Sequence, residues 1–145
     1  MLNRKTCTTT LVFLIMTLSA SKPLEQQSEL NIKIVDIKKN KGKIVVEIYK
    51  DKSTWLENPF QKASLSSDEA TKTASFKIPQ GKYAVAVYQD VNGNGETDMN
   101  FLGVPKEPIG FGNNYKPFGK PKFESALIEH NAASKPEAIK LYTVF

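Results

Sequence analysis

Short runs in which apolar and polar residues alternate dominate the chain after about residue 30. Residues 30–37 and residues 43–49 both show this alternation. A period of two is typical of a strand with one buried face. With Asn40 and Gly42 in the connection, the two runs predict a β-hairpin near the start of the domain.

Four more segments have strand character. Residues 73–78 and 82–89 are joined by Pro, Gln and Gly, which predicts a tight reversal. Residues 82–89 are apolar on both faces, as expected of a central strand. Two final candidates lie at residues 126–129 and 138–144.

The stretch between the second and third predicted strands is harder to interpret. Residues 51–69 predict a long connection with one helical turn near Trp55, the only tryptophan. A tryptophan can be a stacking platform for a sugar or peptide. Its large apolar surface makes a core or lid position the favoured interpretation of Trp55.

Residues 91–121 contain six of the eight glycines and four of the eight prolines. An ordered loop of this length is uncommon in a small domain and is usually functional. The chain therefore predicts an all-β fold, an antiparallel β-sandwich of six or seven strands, immunoglobulin-like or transthyretin-like, with a long Gly/Pro-rich loop.

The N-terminus has the order of a secretory signal. Arg4 and Lys5 precede an apolar run at residues 11–18, and small residues follow it. The run is short for a membrane span, which takes about 20 apolar residues; an uncleaved anchor or a buried helix remains the alternative. We expect a signal peptide at 1–21, a flexible lead-in at 22–29, a domain at 30–145, and a periplasmic or secreted location.

Charge and cysteine content argue against one class of partner and against two covalent modifications. The formal net charge is +5, but the lysines are scattered and form no basic stripe, so a nucleic-acid partner is not expected. Cys7 precedes the apolar run and would leave with the signal, so the exported chain would contain no disulfide and no lipid-modified cysteine. We expect no stable membrane insertion after cleavage.

The segment D-V-N-G-N-G-E-T-D matches the first half of a calcium-binding loop. Oxygen side chains at alternate positions, with Gly at the sixth, let several oxygens converge on one hard cation. The twelfth position, usually a bidentate Glu, is Phe101, and Glu107 is the candidate replacement. A metal-free turn is the alternative. The predicted calcium ligands are Asp90, Asn92, Asn94, Glu96 through its carbonyl, Asp98 and Glu107.

The calcium-like segment continues as M-N-F-L-G-V-P-K-E-P-I-G-F-G-N-N. The whole string resembles the hallmark of a bacterial family of small exported proteins, domain-of-unknown-function family 2141. The resemblance extends over residues 30–142 and implies a periplasmic or secreted β-sandwich of uncharacterised function, without catalytic residues to carry over. Where the family usually has Ser after Gly-Phe, this chain has Gly112.

No catalytic constellation is evident in the sequence. The motifs G-x-S-x-G, C-x-x-C and H-E-x-x-H are absent, and we expect His130, the only histidine, to be an exposed residue at a strand end. A non-catalytic binding or structural module is therefore predicted. The alternative is a small envelope hydrolase that uses the carboxylates of Asp90, Asp98 and Glu107.

The partner of such a module would be an unknown protein or glycan of the cell envelope. Aromatic residues of the long loop are the predicted recognition surface, and the alternative for them is packing against the edge of the sandwich. These residues are Phe101, Phe111, Tyr115 and Phe118.

Overall fold

The computed structural model describes residues 27–144. The predicted signal peptide and most of the predicted lead-in lie outside the described residues. The first strand already begins at Gln27, three residues before the predicted start at Leu30.

Eight strands and three single-turn 3-10 helices make up the described chain, which confirms the predicted all-β class. The 3-10 helices are Lys52–Thr54, Gly112–Asn114 and Glu124–Ala126. The strands are β1 Gln27–Val35, β2 Lys43–Tyr49, β3 Gln61–Ser66, β4 Thr71–Pro79, β5 Gly81–Asp90, β6 Ile109–Phe111, β7 Leu127–His130 and β8 Glu137–Lys140.

The strands form two sheets. The smaller sheet has the order β4-β1-β8, and the larger has the order β3-β2-β5-β6. Strand β7 shares the far edge of β5 with β6: it pairs with residues 81–84, and β6 pairs with residues 86–88. All pairs are antiparallel except β1–β8, which is parallel.

The main core lies between the two sheets and explains why the strands alternate. Every second residue of β1 from Leu30 to Ile34 points inward and is buried, as are Phe76 and Ile78 of β4. The facing sheet contributes mostly β-branched residues, which suit a half-buried pleated surface. They are Ile44, Val46, Ile48, Val85 and Val87.

The predicted hairpin of residues 30–37 and 43–49 is wrong, because the chain changes sheet between them. β1 pairs with β4 and β8, whereas β2 pairs with β3 and β5. Between β1 and β2, Asp36, Asn40 and Gly42 all have positive φ and redirect the backbone. At Gly81 the chain likewise passes from β4 in one sheet to β5 in the other. Local turn chemistry marks these reversals but does not specify which strands pair.

Two strands were not predicted. β3 lies in the supposed connection 51–69, where its residues alternate between half-buried and exposed, and it forms a polar edge. β6 has only three residues and lies within the Gly/Pro-rich stretch. The prediction for 82–89 is confirmed, because β5 lies inside the larger sheet and is buried on both faces.

The outer face of the larger sheet is covered by a second apolar cluster. Trp55 packs against this cluster, 4.9 Å from the ring of Tyr49 and 5.9 Å from that of Phe123, measured between centroids. Its indole nitrogen donates a hydrogen bond to the carbonyl of Pro121. Trp55 is therefore a lid residue, as the favoured interpretation predicted. Between Gln27 and Val144, no helix is long and apolar enough to cross a membrane.

Candidate functional site

The segment from residue 91 to residue 108, here called the acidic loop, connects β5 to β6 at one end of the larger sheet. It carries three carboxylates, Glu96, Asp98 and Glu107, and one lysine, Lys106. Asp90 precedes it as the last residue of β5. The loop is therefore acidic although the whole chain has a formal net charge of +5, and its carboxylates attract cations.

Asp90 organises the start of the acidic loop. Its side chain is almost fully buried and accepts three backbone N–H bonds. Oδ1 accepts from Gly93 at 2.7 Å and from Asn94 at 3.1 Å, and Oδ2 accepts from Gly95 at 2.9 Å. Successive N–H groups directed at one carboxylate stabilise its charge and fix the turn.

Asn92, Asn94 and Asp98 meet on the outer side of this turn. The amide nitrogen of Asn92 donates to one carboxylate oxygen of Asp98 at 2.6 Å, and that of Asn94 donates to the other at 3.1 Å. The amide oxygens of Asn92 and Asn94 accept the backbone N–H groups of Asn94 and Glu96. The carboxylate of Asp98 is thus within hydrogen-bonding distance of both asparagine side chains.

Glu107, near the C-terminal end of the acidic loop, braces its start and its middle. Only 5% of the residue is exposed, and each carboxylate oxygen accepts one backbone N–H. Oε1 accepts from Val91 at 2.7 Å, and Oε2 accepts from Asp98 at 3.2 Å. The C-terminal part of the loop thereby holds both the first residue of the loop and its middle.

Residues 98–106 form a small hairpin whose turn protrudes from the loop. Asn100 caps this turn, because its side-chain oxygen accepts the N–H groups of Leu102 at 2.9 Å and Val104 at 3.0 Å. The apolar side chains on the turn point away from the protein: Phe101 is 94% exposed, Leu102 69% and Met99 51%. These three residues are called the apolar tip below.

The acidic loop rests on a polar network on the outer face of the larger sheet. Tyr88 donates a hydrogen bond to the carbonyl of Gly95 at 2.9 Å and accepts one from Lys62 at 3.3 Å. Lys62 also forms an ion pair with Glu47 at 3.0 Å, and Glu47 accepts a hydrogen bond from the hydroxyl group of Tyr49. Burial raises the pKa of Tyr49 well above its ordinary value, and the hydrogen bond to Glu47 raises it further.

All six predicted calcium ligands lie in or beside the acidic loop, but their side chains do not converge on one point. Asn92, Asn94 and Asp98 share one group, and Glu107 reaches the backbone N–H of Asp98 from the other side. Asp90 directs its carboxylate at backbone N–H groups. Among the described residues, no group of three or more carboxylate, His or Cys side chains is arranged to hold a metal ion.

The predicted aromatic recognition surface does not exist as one surface. Phe111 is buried, and Tyr115 is half-buried beside it, because both belong to the apolar cluster under Trp55. Packing, the alternative interpretation, is correct for these two. Phe101 and Phe118 are fully exposed on different segments. Of these two, Phe101 lies at the apolar tip beside Met99 and Leu102, which the sequence prediction omitted.

The second half of the hallmark string, G-F-G-N-N, joins the two sheets. A Cβ on Gly112 would lie 2.2 Å from the carbonyl oxygen of Ala126, so only glycine fits there. The side chain of Asn113 donates to the carbonyl of Leu127 in β7. The side chain of Asn114 accepts the N–H of Lys140 and donates to the carbonyl of Ala138, both in β8.

His130 is buried, not exposed as predicted, with only 1% of its surface accessible. It ends β7 opposite Gly81 and faces the end of the core, where Nε2 lies 2.9 Å from the hydroxyl of Ser28. Within the described chain, Nδ1 is buried and has no hydrogen-bond partner. Its position depends on the pairing of β7 with β5, which the sequence pattern did not reveal.

Comparison with protein families shows a match over most of the chain. Residues 32–137 match the family model described as "Uncharacterized protein conserved in bacteria (DUF2141)". The matched range includes the acidic loop, the clasp made by Asn113 and Asn114, and most of the core strands. A search of the curated proteins and of the solved structures found no match.

Proposed function

The chain belongs to the bacterial family of uncharacterised proteins DUF2141, and we propose that it is a non-catalytic binding module of the cell envelope, whose acidic loop presents an apolar tip to a protein or glycan partner. The observation that carries this proposal is the apolar tip. Three neighbouring apolar side chains, Met99, Phe101 and Leu102, are exposed on a turn that Asn100 holds by two side-chain hydrogen bonds.

Exposing these apolar side chains to water is unfavourable, and burying them against a partner would favour binding. Apolar side chains grouped on the surface mark interaction sites more often than scattered ones do. A turn that is already hydrogen-bonded loses little conformational freedom on binding, so more of the contact energy contributes to affinity. The braces from Asp90 and Glu107 extend this order through the loop.

The hydrogen bonds that Glu107 accepts favour a binding role over hydrolysis. A hydrolase would need Asp98 and Glu107 to act together on a substrate. The carboxylate of Glu107 is buried, and both its oxygens accept backbone N–H groups, so a substrate has no direct approach to it. These bonds give Glu107 a structural role in the binding-module proposal.

Calcium stabilisation of the acidic loop is the second part of the proposal. Asn92, Asn94 and Asp98 supply the oxygen donors that a hard cation prefers. Rotating the two amides by half a turn would direct oxygen instead of N–H at the region beside Asp98. A cation would also offset repulsion among the carboxylates of the loop. With few acidic ligands, we expect a dissociation constant of roughly 0.1–1 mM.

Calorimetry and thermal melting of the chelator-treated protein test the calcium part. Asp98→Asn removes the charge of a proposed side-chain ligand, while Glu96→Gln removes the same charge at a residue whose proposed ligand is its backbone carbonyl. Binding that is lost only in Asp98→Asn supports the site. Equal weakening in both variants would show diffuse charge attraction and refute it, as would the absence of binding up to about 10 mM calcium.

Partner capture tests the apolar tip. A photoreactive amino acid is introduced at Leu102, and the protein is cross-linked in intact host cells with and without Phe101→Ser. Phe118→Ser is the matched control, because Phe118 is an equally exposed phenylalanine outside the acidic loop. A discrete cross-linked product that Phe101→Ser abolishes and Phe118→Ser retains is expected. Products that are the same in all three proteins would contradict the proposal.

The envelope location rests on the N-terminal sequence pattern, with Arg4 and Lys5 before the apolar run. Fractionation of the host cells followed by N-terminal sequencing tests it. The expected product begins near Lys22 and is recovered from the periplasm or medium. An intact N-terminus in the cytoplasmic fraction would refute export.

A further inference from the structure

A second surface, outside the acidic loop, has the chemistry of a ligand site. An open groove of about 350 Å³ lies where β8 and the following residues meet β6. Tyr142 bridges the two sheets there, because it exchanges two backbone hydrogen bonds with Ile109. This groove, called the edge groove below, is within the size range of small-molecule sites.

The floor and walls of the edge groove are mainly apolar. Val35 and Ala138 come from β1 and β8, which are paired in parallel, and Phe111 and Tyr142 complete the apolar part of the lining. An apolar lining favours a ligand with an apolar body, since burying such a body removes its surface from water.

The rim of the edge groove is cationic. The ammonium group of Lys116 lies 4.9 Å from the centre of the Tyr142 ring, and no described carboxylate forms an ion pair with it. Lys140 pairs with Asp36 at 3.1 Å, but both side chains are more than half exposed, so the pair is accessible to exchange. Lys33 is the register neighbour of Ala138 and adds a third ammonium on the same face.

Addition of a peptide strand at this edge is blocked. The outward N–H of Lys140 and the outward carbonyl of Ala138 already bond to the side chain of Asn114. A peptide that docks as an extra strand needs such edge groups free. The occupant must therefore bind through its charge and its apolar body, without main-chain pairing.

From these observations we infer that the edge groove binds a small organic carboxylate with an apolar body. The carboxylate is placed between Lys116 and Lys140, where it replaces Asp36 as the partner of Lys140, and the apolar body lies against Val35, Ala138 and Tyr142. A charge-assisted contact supplies orientation, and burial of the body supplies most of the affinity. The expected dissociation constant is about 1 mM, as for other small, weakly enclosed ligands.

Three related compounds separate charge from apolar body in an NMR titration of the isotope-labelled protein. Phenylacetate has both features, phenylacetamide has the same ring without the charge, and acetate has the charge without the ring. We expect phenylacetate to shift the amide signals of Lys116, Ala138 and Tyr142. The other two compounds should bind about tenfold more weakly, the factor for losing one charge-assisted contact or its apolar equivalent.

Variants at the rim complete the test. Lys116→Gln and Lys140→Gln should each weaken phenylacetate binding about tenfold, while Lys82→Gln, an exposed lysine on β5, should leave it unchanged. The inference is overturned if phenylacetate causes no shift in these signals up to about 10 mM. Equal binding of phenylacetamide or acetate, or unchanged binding in both rim variants, also overturns it. The comparison of compounds on the unmodified protein stands even if a variant folds poorly.

Discussion

Replacing Glu107 with Gln tests whether the acidic loop is held by its buried carboxylate. In the native protein the two oxygens of Glu107 accept the N–H groups of Val91 and Asp98, so the start and the middle of the loop depend on one side chain. Glutamine has nearly the same shape but only one acceptor oxygen. Whichever way its amide is oriented, an NH₂ group faces one of the two backbone N–H groups.

The expected cost follows from the bonds that change. A hydrogen bond to a charged group contributes about 1.5–3 kcal/mol, and a buried N–H left without an acceptor costs about 1–3 kcal/mol. Since these effects overlap, we expect Glu107→Gln to lower the free energy of unfolding by about 3 kcal/mol. For a domain of this size, that change corresponds to a fall in Tm of roughly 10 °C.

Urea unfolding measures the loss of stability, and hydrogen exchange locates it. The backbone amides of Val91 and Asp98 should exchange faster in Glu107→Gln than in the native protein, because their acceptors are weakened. Glu96→Gln is the control: it removes the same charge from an exposed residue of the loop and should change stability by less than about 0.5 kcal/mol. If the two variants are equally stable, Glu107 is not a brace and this reasoning fails.

Three further predictions concern other parts of the fold. Gly112→Ala places a Cβ 2.2 Å from the carbonyl oxygen of Ala126 and should lower stability in urea by about 1–3 kcal/mol. Native-like stability would show that the backbone around Gly112 can shift. Because the folded-state pKa of Tyr49 is raised above its ordinary value of about 10, its stabilising contribution is complete below pH 10 and is lost as the pH rises further. Stability should therefore fall above pH 10, and less steeply in Tyr49→Phe; equal slopes in alkaline unfolding curves would refute this. Phe101→Ser with Leu102→Ser should change urea stability by less than about 0.5 kcal/mol, since both side chains are exposed; a larger loss would mean that the tip packs against the protein.

The sequence predicted the strands that alternate strongly but not how they pair. β1, β2, β4 and β5 are evident because each has a regular apolar face toward the common core. Their pairing depends on where the chain changes sheet, which is set by backbone direction at residues such as Asp36 and Gly81. A turn signal is the same whether the following strand joins its neighbour or crosses to the opposite sheet.

Short or polar strands escaped prediction for a different reason. β3 is an edge strand with polar residues on its exposed face, and β6 has only three residues. Their pairing partners, β2 and β5, stabilise them through tertiary contacts that no local pattern encodes. Likewise, nothing near His130 indicates that β7 lies along β5 and buries its side chain.

The hallmark string combines two kinds of residue, and the structure separates them. Asp90, Glu107 and the two asparagines at 113 and 114 all direct side-chain oxygens or amides at backbone groups of this chain, so their chemistry is used internally. Phe101 lies in the same string yet contacts almost nothing, with 94% of its surface exposed. These polar residues of the hallmark string therefore build a rigid support. The residue that this support holds out into solvent is apolar, which is the observation behind the proposed recognition by contact.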